Sequence, residues 1–301
     1  MNILVTGGCG FIGSHLVDEL VEKKHNVIVV DDCSANNDIF YFNKKAKYFK
    51  IDICNSKKLN KIKNIDFCFH LGAESRLQQA IQNPKRAIDV NIIGTYNILE
   101  YCKNNNVRGL VFSSTSSIYG LNNNLPLKET ENENCLNPYA STKYAAELLI
   151  KNYNTLFNVK STILRYFNVF GERAPSAGQY ALVTSIFLRQ KMNKESLSIV
   201  GTGDQKRDFI YVKDIVSANI VCMESWDDIT KEDLHKANIY NISSSTEISI
   251  KDLANIISSN QINIPERCGE VFSNIGDNSK FRLLTSWEPK TNKIDWLKNI
   301  L

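Results

Sequence analysis

Short β-branched runs alternate with longer stretches of helical periodicity over the first half of the chain. Asn2–Thr6, Val27–Asp31, Tyr48–Ile51, Phe67–Leu71, Leu110–Ser114 and Ser161–Leu164 read as strands separated by polar, amphipathic segments. Strand then helix, repeated, predicts an α/β fold with a doubly wound parallel sheet. Ile3, Leu4 and Val5 are apolar at both parities, as a strand must be when helices cover both faces of its sheet. After about Tyr166 the pattern loosens into loops carrying Gly171, Pro175, Gly178, Gly201 and Gly203, and a strand at Asn238–Ile242 precedes a helix from Ile250 to Ser259. The chain therefore divides into a first domain over 1–165 and a smaller C-terminal lobe over 166–301, with a stretch near 196–245 returning to the first sheet. Leu121 to Asn137 is polar and Asn-rich and reads as a surface loop.

The first strand feeds Gly7-Gly8-Cys9-Gly10-Phe11-Ile12-Gly13, and helical periodicity runs from Ser14 to Lys23. Glycines at this spacing let the chain turn tightly, let the backbone approach a pyrophosphate and let the helix pack close to its strand. The flanking strand and helix supply the context that makes this a dinucleotide (Rossmann) turn rather than a glycine-rich loop. Asp31 ends the second strand 18 residues after Gly13. A carboxylate there accepts hydrogen bonds from a ribose 2′-OH and repels a 2′-phosphate, so NAD is favoured over NADP. Asp52 and Leu71-Gly72-Ala73 follow further strands at the edge where ligands of such sheets lie.

Composition narrows the function classes. The 301 residues suffice for a buried α/β core, 23% are charged, and the net charge of +4 is spread rather than blocked. This argues against nucleic acid as a partner. The eight cysteines form no C-x-x-C pair, and His15, His25, His70 and His235 lie far apart, so neither a metal cluster nor a disulfide framework is indicated. No segment approaches 18 consecutive apolar residues, which argues against a membrane span, and MNILVTGG has no basic leader; a cytoplasmic location is expected.

Redox chemistry on a sugar or alcohol needs a base, and a tyrosine serves if a nearby cation lowers its pKa from ~10. Tyr139 and Lys143 stand at i and i+4 in PYASTKYAAELL, on one helix face. Tyr41 and Lys45 match the same spacing and read as surface residues. Context separates the two: Tyr139 follows the strand-end hydroxyl cluster Ser113-Ser114-Thr115 by 24 residues.

These residues, together with TGGCGFIGSHL, VVDD, HLGAES, NIIGTYNILE, VFSSTSSIYG, NPYASTKYAAE, LRYFNVFGER, GTGDQKRDFIYVKD, YNISSS and RCGEV, resemble the extended short-chain dehydrogenase/reductases of the NAD-dependent epimerase/dehydratase family. The likeness is nearest to the UDP-hexose 4-epimerases and covers nearly the whole chain. It implies that Thr115, Tyr139 and Lys143 are catalytic, with Tyr139 taking the O4 proton, Lys143 bound to the nicotinamide ribose and Thr115 bridging sugar and tyrosine. It implies a resident NAD against Gly7, Gly10, Phe11, Ile12, Gly13, Asp31, Asp52, Ile53, Leu71, Gly72, Ala73, Asn91, Ser113, Tyr139, Lys143 and Tyr166. A UDP-sugar would meet Ser75, Thr115, Asn168, Leu182, Ile199, Val200, Arg207, Arg267 and Asn274, the two arginines clamping the diphosphate.

Two positions bear on substrate. Asn274 stands where some relatives carry a tyrosine that confines the sugar and others a small residue that admits a 2-acetamido group; asparagine is nearer the small class. Ser116 and Ser117 stand where relatives that dehydrate or decarboxylate carry acids, which disfavours both reactions. A uronate 4-epimerase stays open through Arg76, and a non-enzymatic dinucleotide sensor would not need Thr115, Tyr139 and Lys143 together. Apolar positions on more than one face of Ala87–Lys103 and Ala140–Tyr153, including Ile92, Ile93, Tyr96, Leu99, Tyr144, Leu148 and Leu149, fit the helices that form a homodimer in relatives.

Overall fold

The computed structural model describes residues 1–35, 40–121, 123–176, 182–231, 237–265 and 271–301. Seven strands make the main sheet: β1 (Asn2–Thr6), β2 (Asn26–Asp31), β3 (Lys47–Lys50), β4 (Phe67–His70), β5 (Gly109–Thr115), β6 (Ser161–Tyr166) and β10 (Asn238–Ile242), in the order β10-β6-β5-β4-β1-β2-β3. Every neighbouring pair is parallel. Burial follows from the two-faced apolar pattern. Ile3 and Val5 enter one core with Val29, Phe69 and Val111, while Leu4 enters the other with Val30, Cys68 and Leu110.

The remaining strands, β7 (Asn168–Phe170), β8 (Leu197–Val200), β9 (Lys206–Tyr211), β11 (Glu247–Ser249) and β12 (Gln261–Ile264), form a three-stranded sheet β11-β9-β7 and a two-stranded sheet β12-β8. Of the segment 196–245, β10 is the strand that joins the large sheet, beside β6; β8 and β9 pair in the smaller ones. Strand order reverses between β1 and β4, and a crevice opens there beyond their C-terminal ends.

Two helices shape that crevice. The segment read as one helix near 87–103 is three pieces: Pro84–Ile88, a π-helical turn over Asp89–Gly94, and Thr95–Asn104. A side chain at Gly94 would meet Ile53 Cδ1 at 2.6 Å, so only glycine lets this helix lie so close to the loop after β3. The helix Pro138–Phe157 starts earlier than the apolar pattern, because Asn137 caps the Ala140 N–H at 2.9 Å and Pro138 fits the first turn; it ends at Asn158 in the left-handed region, φ 53.

A buried ion pair fastens that helix to the sheet. Glu147 and Arg165 are both fully buried: Nε donates to Oε1 at 3.0 Å and Nη2 to Oε2 at 2.7 Å. Ser114 Oγ also donates to Glu147 Oε1, at 2.5 Å, and the guanidinium lies over the Tyr119 ring. Removing one partner strands a buried charge. Glu147→Leu is therefore expected to cost about 3–5 kcal/mol in denaturant unfolding, and Glu147→Leu with Arg165→Met to recover most of the loss. A single variant as stable as the parent would contradict this account.

Candidate active site

The crevice is a cleft of about 520 Å³, within the usual range for small-molecule sites. Its floor is the glycine turn. Gly7 is at φ +72 and an added Cβ would meet Gly72 N at 2.7 Å, so the turn after β1 and the loop after β4 touch main chain to main chain. A Cβ at Gly13 would meet Gly7 O at 2.1 Å, which seats the helix Phe11–Glu22 directly on the turn. Gly10 differs: its Cβ would meet only Gly7 O at 3.4 Å, so the space it vacates faces the cleft. A cradle that a side chain would fill, at the N-terminus of a 12-residue helix, fits a dinucleotide pyrophosphate.

Asp31 is fixed by two backbone N–H groups at the edge of the cleft. Its Oδ2 accepts the Cys9 N–H at 2.9 Å and its Oδ1 the Cys33 N–H at 2.8 Å, and the residue lines the cleft. Burial pushes its carboxyl up, against the pull of those two N–H groups. Asp52 accepts from Cys54 N–H at 2.8 Å and from Arg86 Nη1 at 3.2 Å, while Arg86 Nη2 reaches Asp32 at 2.9 Å. Burial would raise Asp52, but the Cys54 and Arg86 bonds outweigh it and hold it low. Arg86 lines the cleft, and no local motif pointed to it, because both carboxylates that hold it are distant in sequence.

Thr115, Tyr139 and Lys143, the residues expected to be catalytic, converge on the same cleft. Thr115 ends β5, Tyr139 and Lys143 lie one turn apart on the Pro138–Phe157 helix, and all three line it. Tyr139 hydrogen-bonds the Thr115 side chain, and Thr115 Oγ1 accepts the Ser117 N–H at 3.1 Å. The electrostatics reverse the expectation that a cation lowers the tyrosine. Burial pushes Tyr139 up, with the Thr115 bond pulling it back, and burial also drags Lys143 down to about 7 against the pull of Glu147. Desolvation wins because Lys143 is almost fully buried, its Nζ 4.0 Å from the Phe112 ring centroid, and no carboxylate among the described residues is within ion-pair reach of it.

His70 is a site component that sequence reading left without a role. Thr95 Oγ1 donates to Asn91 O at 2.7 Å, so it accepts from His70 Nε2 at 3.0 Å. Nδ1 is then the unprotonated nitrogen and accepts from Thr6 Oγ1 at 2.7 Å, whose oxygen accepts the Gly72 N–H at 3.0 Å. Burial, and after it the charge of Lys143, push His70 down to about 3, so it stays neutral. Asn91 was expected against the cofactor. Its side chain is instead spent beneath the wall, Oδ1 accepting from Glu74 N at 2.8 Å and Nδ2 donating to Glu74 O at 3.1 Å and Thr142 Oγ1 at 3.0 Å.

The other expected contacts divide. Phe11, Ile12, Ile53, Leu71, Ala73, Ser75, Ser113, Tyr166, Asn168 and Leu182 line the cleft. Ile199 does not: the alternation of β8 turns it into the core, where it is 2% exposed. Val200, on the same strand, is half-buried outside the cleft, and Arg207 donates to the carbonyls of Lys206 and Phe272. Asn274 lies behind Asn168, its Oδ1 accepting from Asn168 Nδ2 at 3.3 Å and Asp208 N at 3.2 Å. Arg267 lies outside the described residues.

Residues 3–243 match the model of the NAD dependent epimerase/dehydratase family. A UDP-glucose 4-epimerase from Lactobacillus helveticus is 30% identical over 312 aligned positions, covering 98% of this chain and 94% of that protein. The solved UDP-glucose 4-epimerase of Thermotoga maritima with UDP-glucose superposes with a TM-score of 0.91 at 32% identity, over 99% of this chain and 96% of that one. A UDP-N-acetylglucosamine 4-epimerase from Methanobrevibacter ruminantium, in complex with UDP-N-acetylmuramic acid, gives 0.88 at 34%, again over 99% and 96%.

Two outcomes follow from this geometry. With the cofactor stripped from all three proteins, Gly10→Ala should keep the parent's thermal stability yet fail to rebind dinucleotide, whereas Gly13→Ala should lower stability by several kcal/mol, since its Cβ has nowhere to go; equal melting temperatures for the two would refute the distinction. Between pH 7 and 10.5 an unfolded lysine carries a proton that folded Lys143 has lost, so the unfolded state binds more protons and stability rises with pH across that window. For the dinucleotide-free protein the rise from this group is at most about 5 kcal/mol. Lys143→Met should flatten it, read as the difference in urea midpoints at the two ends of the window.

Proposed function

The chain belongs to the NAD dependent epimerase/dehydratase family, and from that membership we propose that it inverts C4 of a UDP-hexose through a transient 4-keto sugar. The observation that carries the reading is the joint placement of Thr115, Tyr139 and Lys143 at the edge of a cleft whose floor is the glycine turn. NAD is the cofactor, and the residues that would hold it are Gly10 at the pyrophosphate, Asp31 at the adenosine ribose and Lys143 at the nicotinamide ribose. Bound NAD supplies the hydride acceptor for C4 and the donor that returns it.

The chain's own groups handle the proton. The Tyr139 phenolate oxygen accepts it from the sugar O4, and the Thr115 hydroxyl supports the phenolate by donating to it. Protonated Lys143 favours the same charged form, so the step requires the dyad to hold one cation and one anion. Return of hydride to the opposite face requires the keto sugar to turn about its diphosphate, so the nucleotide must be gripped and the hexose held loosely.

Two features support an uncharged hexose. Arg76, the cation that a uronate would need, already makes a charged pair with Glu74, Nε to Oε1 at 2.7 Å. Ser116 and Ser117 line the cleft beside Thr115 and provide no acid for dehydration or decarboxylation. We extend the substrate range to the 2-acetamido sugars, because Asn274 is tied to Asp208 and Asn168 rather than reaching into the cleft, and because relatives named for UDP-glucose and for UDP-N-acetylglucosamine both align along the whole chain. The same reading makes the protein a homodimer: Ile93, Tyr96 and Leu148 stay exposed on helices that pack together, while Leu99 is in the core.

Incubation with UDP-glucose, UDP-galactose and their 2-acetamido counterparts, without added NAD, should yield the C4 epimer of each. Tyr139→Phe should lower the rate about 10²–10⁴-fold. Turnover of the Phe variant near the parent rate would overturn the role of Tyr139, and turnover of the non-acetylated pair alone would overturn the extended range.

A further inference from the structure

Two cysteines meet at the carboxylate of the dinucleotide site. Cys9 is inside the Gly7–Gly13 turn, and Cys33 lies two residues beyond Asp31 with φ +56. Each donates its backbone N–H to one oxygen of Asp31, at 2.9 and 2.8 Å, so one carboxylate holds both segments in place. The two Sγ atoms and an Asp31 oxygen all lie within 4.8 Å of one another. Cys9 is buried and Cys33 half-buried.

Three atoms no farther apart than 4.8 Å share a point within about 2.8 Å of each. Zinc takes thiolate sulfur at about 2.3 Å and carboxylate oxygen at about 2.0–2.2 Å. An inward shift of about half an ångström or a little more per ligand therefore completes a three-ligand site. The donor set is two soft sulfurs and one carboxylate, which selects Zn²⁺ or Cd²⁺ over Mg²⁺ and Ca²⁺. Among the described residues no other group of three or more His, Cys, Asp or Glu donors comes this close together.

We propose that Cys9, Cys33 and Asp31 bind one thiophilic divalent cation, in competition with the dinucleotide. Binding releases the two thiol protons to solvent and forms two metal–sulfur bonds and one metal–oxygen bond, with no change of oxidation state. The competition arises because the Asp31 oxygens already accept two N–H groups, and their remaining lone pairs serve either the ribose or the cation. The site itself does not depend on which sugar is turned over; its competition with NAD rests on Asp31 holding the ribose.

The test is titration of the full-length, reduced, cofactor-stripped protein with Cd²⁺ alone, read by thiolate-to-metal charge-transfer absorbance and by metal stoichiometry after desalting. One Cd²⁺ per chain is expected, with Cys9→Ala and Cys33→Ala each weakening it more than about 10-fold. Thermal unfolding checks that the variants are folded, and Cys9→Ser replaces Cys9→Ala if that one is not. No retained Cd²⁺, or equal retention in folded variants, overturns the site. Saturating NAD should release the metal; a Cd²⁺ that the variants lose but NAD does not displace keeps the site and overturns the placement of the ribose at Asp31.

Discussion

One uncharged histidine orders the centre of this molecule. The hydrogen bonds that begin at the Gly72 N–H pass through Thr6, His70 and Thr95 to the carbonyl of Asn91, each donor pointing the same way along the series. Neutral imidazole is the only form that both donates and accepts, so a proton on Nδ1 would leave two donors facing each other in a buried place. Burial beneath the sheet edge, with Lys143 above, keeps that proton off. Each end of the series lies beside a wall of the cleft. Gly72 lies against the glycine turn, and Asn91, through its side chain, bonds both the Glu74 loop and Thr142 on the helix of Tyr139 and Lys143. One route of contact between the glycine turn and the Pro138–Phe157 helix therefore passes through this ring.

Much of the cradle was legible because its signals are local. A strand, three glycines, a helix and an acid at the next strand end all fall within 31 residues, and each is read from its neighbours. The relay was not legible, because its bonds join residues 64, 25 and 66 apart and neither histidine nor threonine carries a spacing that announces them. The π turn at Asp89–Gly94 was hidden for a related reason. Gly94 closes it in contact with Ile53, and periodicity does not report what a helix packs on. Ile199 was placed at the ligand by motif position, yet the two-residue period of its own strand puts it in the core.

The electrostatics were legible in residue type and not in sign. Tyr139 and Lys143 are the pair that the chemistry needs, and the expected lowering of the tyrosine assumed that the lysine is charged. Proximity favours the ion pair, whereas burial penalises both charged forms, and in this pocket burial is the larger effect. The same competition acts at Asp31, where two backbone N–H groups oppose desolvation without overcoming it. Burial of this degree makes charge costly to hold, so Tyr139, Lys143 and Asp31 depend on particular partners when ionised.

For Lys143 that partner is Glu147, one turn further along the same helix and its chief support toward the charged form. Yet Glu147 is also the carboxylate that anchors the helix to β6 through both nitrogens of Arg165, and it accepts from Ser114, the neighbour of Thr115. The two roles oppose each other. A guanidinium bonded to both oxygens offsets part of the charge that the carboxylate presents to its surroundings. One buried carboxylate thus bears both on the anchoring of the Pro138–Phe157 helix and on the proton affinity of Lys143.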